Sequence, residues 1–288
     1  MKVHWLIDAD MFAAYRDDLV AAIRAQGNDV KQIHAPRPPY RWDDAGCSYR
    51  DTFPKEACVI ALGDIELVTR IHHERRWSPG AFCTVENFAC SSYYCHFGSY
   101  LLNQDYVMLP FGELARRKEF LFDTFGRDDG IFVRPDSPLK LFTGQVASRN
   151  TFDADLEFMA FYEFPVSSLV LVSSPKRITA EWRFVIADQK VVTGCLYKSE
   201  NGLEPQPIVE TSAYGLAAQI ASHEYQPDPV WIVDICMTDD NSLHLLEIGG
   251  FSFADLYTCD KAAIVKAVSQ AAILEWERAH SGSLRAEE

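Results

Sequence analysis

Positive charge is scarce in these 288 residues: 27 Lys and Arg stand against 41 Asp and Glu, a formal net charge of −14. A surface of that sign repels nucleic acid and anionic membranes, so neither is expected as the main partner. Long apolar runs are missing too. No stretch approaches the roughly 18 residues of a membrane span. The apolar run of "MKVHWLIDAD" is too short for a secretory leader and is interrupted by Asp8 and Asp10. The expectation is a soluble, cytoplasmic protein whose eight cysteines are reduced and mostly buried. No C-x-x-C pair occurs, so Cys83, Cys90, Cys95 and His96 read as core residues rather than a zinc site. Internal repeats and low-complexity blocks are absent as well.

The remaining sequence is organised in two styles. Val3–Ile7 reads as a buried strand. It is followed by a helix with Phe12, Tyr15, Leu19 and Ile23 at helical spacing, stopped by Gly27. "NDVKQIHA" and "ACVIALGDIE" read as further strands, joined by a proline-rich connection over 35–55, and "DIELVTRIHHERRW" as a helix with His72 and His73 on a solvated face. This predicts an α/β domain over 1–110 with a mainly parallel sheet. Beyond it, strands joined by short polar turns alternate with helices, an α+β pattern over 111–280, and 281–288 is expected to be a disordered tail.

Within this acidic chain, "IFVRPDSPLKLFTG" sets Arg134 and Lys140 on either side of a turn where a strand ends. They read either as two solvated charges or as a local site for a strongly anionic ligand. Two hairpins bear on the choice. If Asp240-Asn241 is a two-residue turn, Asp234 falls opposite Glu247. Facing carboxylates on apolar strands repel unless a cation lies between them, and a divalent metal is the favoured candidate. The other readings are a shifted register, or an acid paired with a basic side chain. A turn at Asp188-Gln189 places Arg183 opposite Gly194 and, by alternation, sets Glu181, Arg183 and Lys198 on one face. Taken alone, that face is as readily a solvated one.

The order of Arg134 and Lys140 in "VRPDSPLKLFTG", Glu181 and Arg183 in "EWRFVI", Lys198 in "LYK", and Asp234 with Glu247 in "VDI…LLEIGG" resembles the ATP-grasp superfamily, in particular its peptide-ligase-like branch common in phage and bacterial accessory genes. The likeness covers roughly 111–280, with 1–110 in the place of the pre-ATP-grasp domain. It implies two α+β subdomains sandwiching ATP, and a Mg²⁺-dependent carboxylate–amine ligase acting through an acyl phosphate. In that scheme Arg134, Arg183 and Lys198 are catalytic, and Lys118 and Lys140 hold phosphates. Leu171, Val172 and Ser173 line the adenine, Glu181 takes the ribose, and Asp234 and Glu247 hold metal. The substrates would be small-molecule or peptide carboxylates and amines, with a homodimer left open. A non-catalytic ATP-binding module and a kinase-like ATP-grasp protein are the alternatives. One departure stands out: the family follows its metal-binding glutamate with asparagine two residues on, whereas this chain has Gly249, with Asp255 as a substitute acid further along.

Overall fold

A computed structural model describes residues 1–36, 49–161 and 163–281. Most of the proline-rich connection and all of the tail beyond Ser281 lie outside the described residues. The chain forms two compact units. One gathers Met1–Thr84, Glu181–Ile235 and the chain from Glu247 onward; the other gathers Val85–Ala180 and Cys236–Leu246. These units are discontinuous in sequence, unlike the linear division at 110 expected above. The reason is that the first 84 residues share a core with strands and a helix from much later in the chain.

The first unit opens with β1 (His4–Asp8), α1 (Arg16–Ala25), β2 (Asp29–Ile33), β3 (Cys58–Leu62), α2 (Ile65–Glu74) and β4 (Ser78–Gly80). The strands form a sheet in the order β2-β1-β3-β4, with every pairing parallel. Alternation along β1 and β3 divides their side chains between two cores. Trp5, Ile7, Ile60 and Leu62 pack with Leu19 and Ile23 of α1. Leu6, Val59 and Ala61 pack with Leu67, Val68 and Ile71 of α2. Burial on both faces explains why β3 reads as an unbroken apolar run. α2 starts where it does because the Asp64 carboxylate accepts the Leu67 N–H at 2.7 Å, an N-cap.

The second unit holds α3 (Cys90–Phe97), β5 (Tyr106–Pro110), α4 (Lys118–Phe125), β6 (Gly130–Pro135), β7 (Gln145–Ser148), α5 (Phe152–Ala160) and β8 (Leu169–Ser173). Its sheet, β5-β8-β6-β7, is antiparallel throughout. Ile131, Val133, Val170 and Val172 face a core shared with Leu121, Phe122, Phe152 and Met159. The opposite face therefore carries Phe132, Arg134, Leu171 and Ser173. Register confirms the grouping, since Arg134 pairs with Leu171 and Phe132 with Ser173.

The chain continues with β9 (Ile178–Ala187), β10 (Lys190–Ser199), β11 (Gly202–Gln206), α6 (Thr211–Ala221), β12 (Val230–Thr238), β13 (Leu243–Gly250) and α7 (Lys261–Ser281). Strands order as β11-β10-β9-β12-β13. Asp188 and Gln189, at φ 51° and 58°, make the two-residue turn read from the sequence. Gly194 is forced by close packing: a Cβ there would sit 2.4 Å from the Phe184 ring. Ile264, Val265 and Val268 of α7 complete the core begun by β1, β3 and α1.

Candidate active site

The five-stranded sheet brings the charged residues of the first unit together. Arg183, on β9, donates from Nε to Asp234 Oδ1 at 2.9 Å and from Nη2 to Asp234 Oδ2 at 2.6 Å, a bidentate pair. Its Nη1 donates to the Asp255 carbonyl at 2.9 Å. Its Cζ lies 5.3 Å and 5.2 Å from the ring centroids of Tyr197 and Tyr257. Those rings are themselves parallel, 5.0 Å apart. Burial works against the Arg183 charge, but Asp234 outweighs it and holds the guanidinium well above its ordinary pKa. Beside this pair, buried Glu181 accepts from Lys198 Nζ at 2.6 Å and from the Tyr197 hydroxyl.

Two expectations need correction here. Alternation along β10 set Lys198 on the face of Glu181 and its neighbour Tyr197 on the other, yet both reach the same carboxylate. β10 is irregular at this point, its register against β11 shifting between Leu196 and Lys198. The β12–β13 turn also differs. Thr238 N–H donates to the Ser242 carbonyl at 3.0 Å and Asn241 N–H to the Thr238 carbonyl at 2.9 Å, with Asn241 at φ 64°. The turn thus has three residues, Asp239–Asn241, the last left-handed. Asp240 stabilises it by accepting from the Thr238 hydroxyl at 2.6 Å and the Ser242 N–H at 3.0 Å. The opposition of Asp234 and Glu247 counted from a two-residue turn therefore slips by one at the turn.

Glu247 nevertheless acts on Asp234. Burial above all raises the Asp234 carboxyl pKa; Arg183 pulls it back, and Glu247 and Glu181 push it up again. Asp234, 1% exposed, thus feels one arginine and two further carboxylates. The basic partner weighed above for the acids is real for Asp234, and Arg183 fills the role. The two acids form an all-oxygen donor set, the kind Mg²⁺ takes, commonly with only one or two carboxylates beside phosphate and water. Among the described residues no three metal-ligating side chains converge. At Gly249 a Cβ would meet nothing within 4 Å, and its backbone is not left-handed. Neither packing nor backbone conformation demands glycine there.

The remaining predicted residues lie in the second unit. Arg134 shares the non-core face of its sheet with Leu171 and Ser173, whereas the Val172 side chain is in the core on the other face. Asp136 secures the turn after Arg134 by accepting the Ser91 N–H at 2.6 Å and its hydroxyl at 3.0 Å, which ties the turn to the first residues of α3. Lys140 is exposed and left-handed at φ 51°. Lys118 sits 5.6 Å from the Phe152 ring. Sequence reasoning missed Asn103 and Lys176. Asn103 Oδ1 accepts from the buried Ser173 hydroxyl at 3.0 Å and from Lys176 Nζ at 3.1 Å, and burial lowers the lysine's pKa. It also missed Tyr197 and Tyr257, which no spacing rule connects.

No curated protein matches the chain significantly. In fold it is similar to D-cycloserine synthetase DcsG, with TM-score 0.61 and 14% identity over 94% of this chain and 99% of that one. It is also similar to D-alanyl-alanine synthetase A of Vibrio cholerae O1 biovar eltor, with TM-score 0.58 and 11% identity over 96% and 98%. A third is the macrocyclase MdnC of Microcystis aeruginosa MRC bound with precursor peptide MdnA, with TM-score 0.53 and 12% identity over 94% and 99%. At such identities the likeness is one of fold, and it agrees with the several sheets and packed helices described above. The family model of the ATP-grasp domain, R2K clade family 2, matches residues 116–267, which take in Arg134, the whole Arg183 network and Asp234 with Glu247. More than half of its length being matched, the chain belongs to the R2K clade of the ATP-grasp family.

Proposed function

We propose that the protein is a Mg²⁺-dependent ligase that uses ATP to join a carboxylate to an amine through an acyl phosphate. The observation that carries this reading is the pairing of buried Glu181 with Lys198 and of Arg183 with buried Asp234, with Glu247 acting on Asp234. ATP would supply the phosphoryl group, and Mg²⁺, held by Asp234 and Glu247, would neutralise its charge. The chain's own residues then have separable tasks. Lys140 and Lys118 neutralise phosphates, and Arg134 presents its guanidinium on the face shared with Leu171 and Ser173. Val172 contributes to an adenine site through its backbone only. Lys198 is half exposed, so it can leave Glu181 for a phosphoryl oxygen or a developing oxyanion. Arg183 acts by holding Asp234 in place, and Glu181 by holding Lys198 as well as offering oxygen to a ribose. Two names among the fold relatives, a D-cycloserine synthetase and a macrocyclase bound with a precursor peptide, fit small-molecule or peptide substrates.

The absence of a side-chain oxygen at Gly249 favours a second reading, a nucleotide-binding module without turnover. ADP release separates the readings. A ligase releases ADP only when both an acid and an amine are present. A kinase does so with a hydroxyl compound alone, and a module binds Mg·ATP in calorimetry but releases none. Screening pooled carboxylates and amines for ADP release, then weighing the product by mass spectrometry, identifies the pair.

A further inference from the structure

Two thiols lie behind the rings that flank Arg183. The segment leading into α7 runs beside β10 in the opposite direction, side chain against side chain. Tyr257 stacks on Tyr197, Cys259 meets Cys195, and the Asp260 N–H donates to Thr193 Oγ1 at 3.2 Å. The Cys259 thiol points at Cys195 with 3.4 Å between the sulfurs, and both residues are buried. Cys259 Sγ also approaches the Arg183 carbonyl at 3.9 Å. The site chemistry uses neither cysteine, and core packing alone does not require two thiols aimed at one another. We propose that Cys195 and Cys259 are a redox pair, and that their disulfide staples the segment ahead of α7 to β10, fixing the aromatic walls and the Asp255 carbonyl around Arg183.

The chemistry balances with hydrogen peroxide as oxidant. The Cys195 thiolate attacks a peroxide oxygen, taking two electrons' worth of oxidation and releasing water as the other oxygen is protonated, to give a sulfenic acid. The Cys259 thiol then attacks that sulfur, loses its proton, and expels the hydroxyl as a second water, leaving the disulfide. Overall, two thiols and one hydrogen peroxide give one disulfide and two waters. The two cysteines are unequal in the way this sequence requires. The hydrogen bond from Cys259 brings the Cys195 thiol down to about 7 against the effect of burial, and the same bond raises Cys259. Closing from contact to a bond of about 2.05 Å asks for roughly 1.4 Å of approach, within reach of the short segment that carries Cys259. Burial makes the reaction wait on local opening of that segment.

Thiol chemistry at this pair is independent of the ligase reading; only the effect on turnover rests on it. The full-length protein is treated with hydrogen peroxide, digested without reductant and mapped by mass spectrometry. The expected product is a Cys195–Cys259 cross-link two hydrogens lighter than the reduced pair and reversed by dithiothreitol, with amide exchange slowed at Tyr257 and Thr258. Cys195→Ser and Cys259→Ala should each abolish the cross-link while leaving reduced-state turnover unchanged. Mg·ATP turnover of the oxidised wild type should fall severalfold and recover on reduction, because the staple draws the Tyr257 ring and the Asp255 carbonyl away from their reduced-state positions around Arg183 and holds them there. Failure of the cross-link to form, or formation of sulfinic acid on one cysteine with the other free, overturns the pairing. A cross-link that leaves both exchange and turnover unaltered overturns the control of Arg183. Slowed exchange in a protein that never releases ADP retains the staple and removes the ligase.

Discussion

Arg183 is catalytic in the scheme that the family resemblance implies, and in the structure its guanidinium is engaged by Asp234, by a backbone carbonyl and by two rings. Truncating one partner of such a pair leaves an uncompensated buried charge. Arg183→Met should therefore cost about 3–5 kcal/mol, whereas the double variant with Asp234→Leu should recover most of that loss. Chemical denaturation of the two singles and the double closes the cycle, and additive losses would mean the pair is not coupled. Gly249→Asn is expected to fold as the wild type does, since the position is open and not left-handed. In a magnesium titration at fixed ATP, that variant should reach half-saturation at lower metal than the parent. A coincident pair of curves would mean the missing oxygen has no consequence. Lys140→Gln should weaken Mg·ATP binding about 10-fold or more, the loss of one charge-assisted contact of roughly 1.5–3 kcal/mol, with calorimetry as the check.

Turns decided how far the hairpins were legible. At Asp188-Gln189 the bounding apolar runs leave two residues, and the structure has those two in the left-handed region. At 238–242 the same reasoning failed because Asp239, Asp240 and Asn241 are all acceptable turn residues, and the choice is made by the Asp240 side chain bonding across the turn. Periodicity alone does not register a side-chain hydrogen bond. Tyr197 beside Lys198 was lost for a similar reason, an irregularity in β10 that a strict period of two hides. The parallel sheet was legible because a strand buried on both faces leaves an unbroken apolar run, as Cys58–Leu62 does. Gln189→Gly should stabilise the β9–β10 hairpin by relieving a left-handed non-glycine residue, and Asp64→Ala should cost α2 about 1 kcal/mol by removing its cap. Thermal melts check both, with about 2 °C expected per kcal/mol in a chain of this size.

The linear division at 110 and the compact units make different claims about what folds alone. The core around Trp5, Ile7 and Ile60 is completed by Val185, Val230 and Ile232 and by Ile264, Val265 and Val268 of α7. A fragment ending at residue 110 would leave that face of the parallel sheet covered by α1 alone. Expressed alone, it should be aggregated or disordered, with poorly dispersed amide resonances; a well-dispersed spectrum would restore the linear domain. The same arrangement has a consequence on the ribosome. Chains emerge at roughly 5–20 residues per second, so the β1–β3 segment waits on the order of ten seconds to most of a minute for α7 to be made. Throughout that interval the apolar surface left open beside α1 lacks the partners that α7 and the later strands supply. The span between β3 and α7 is therefore a window in which α1 alone shields that face of the first unit.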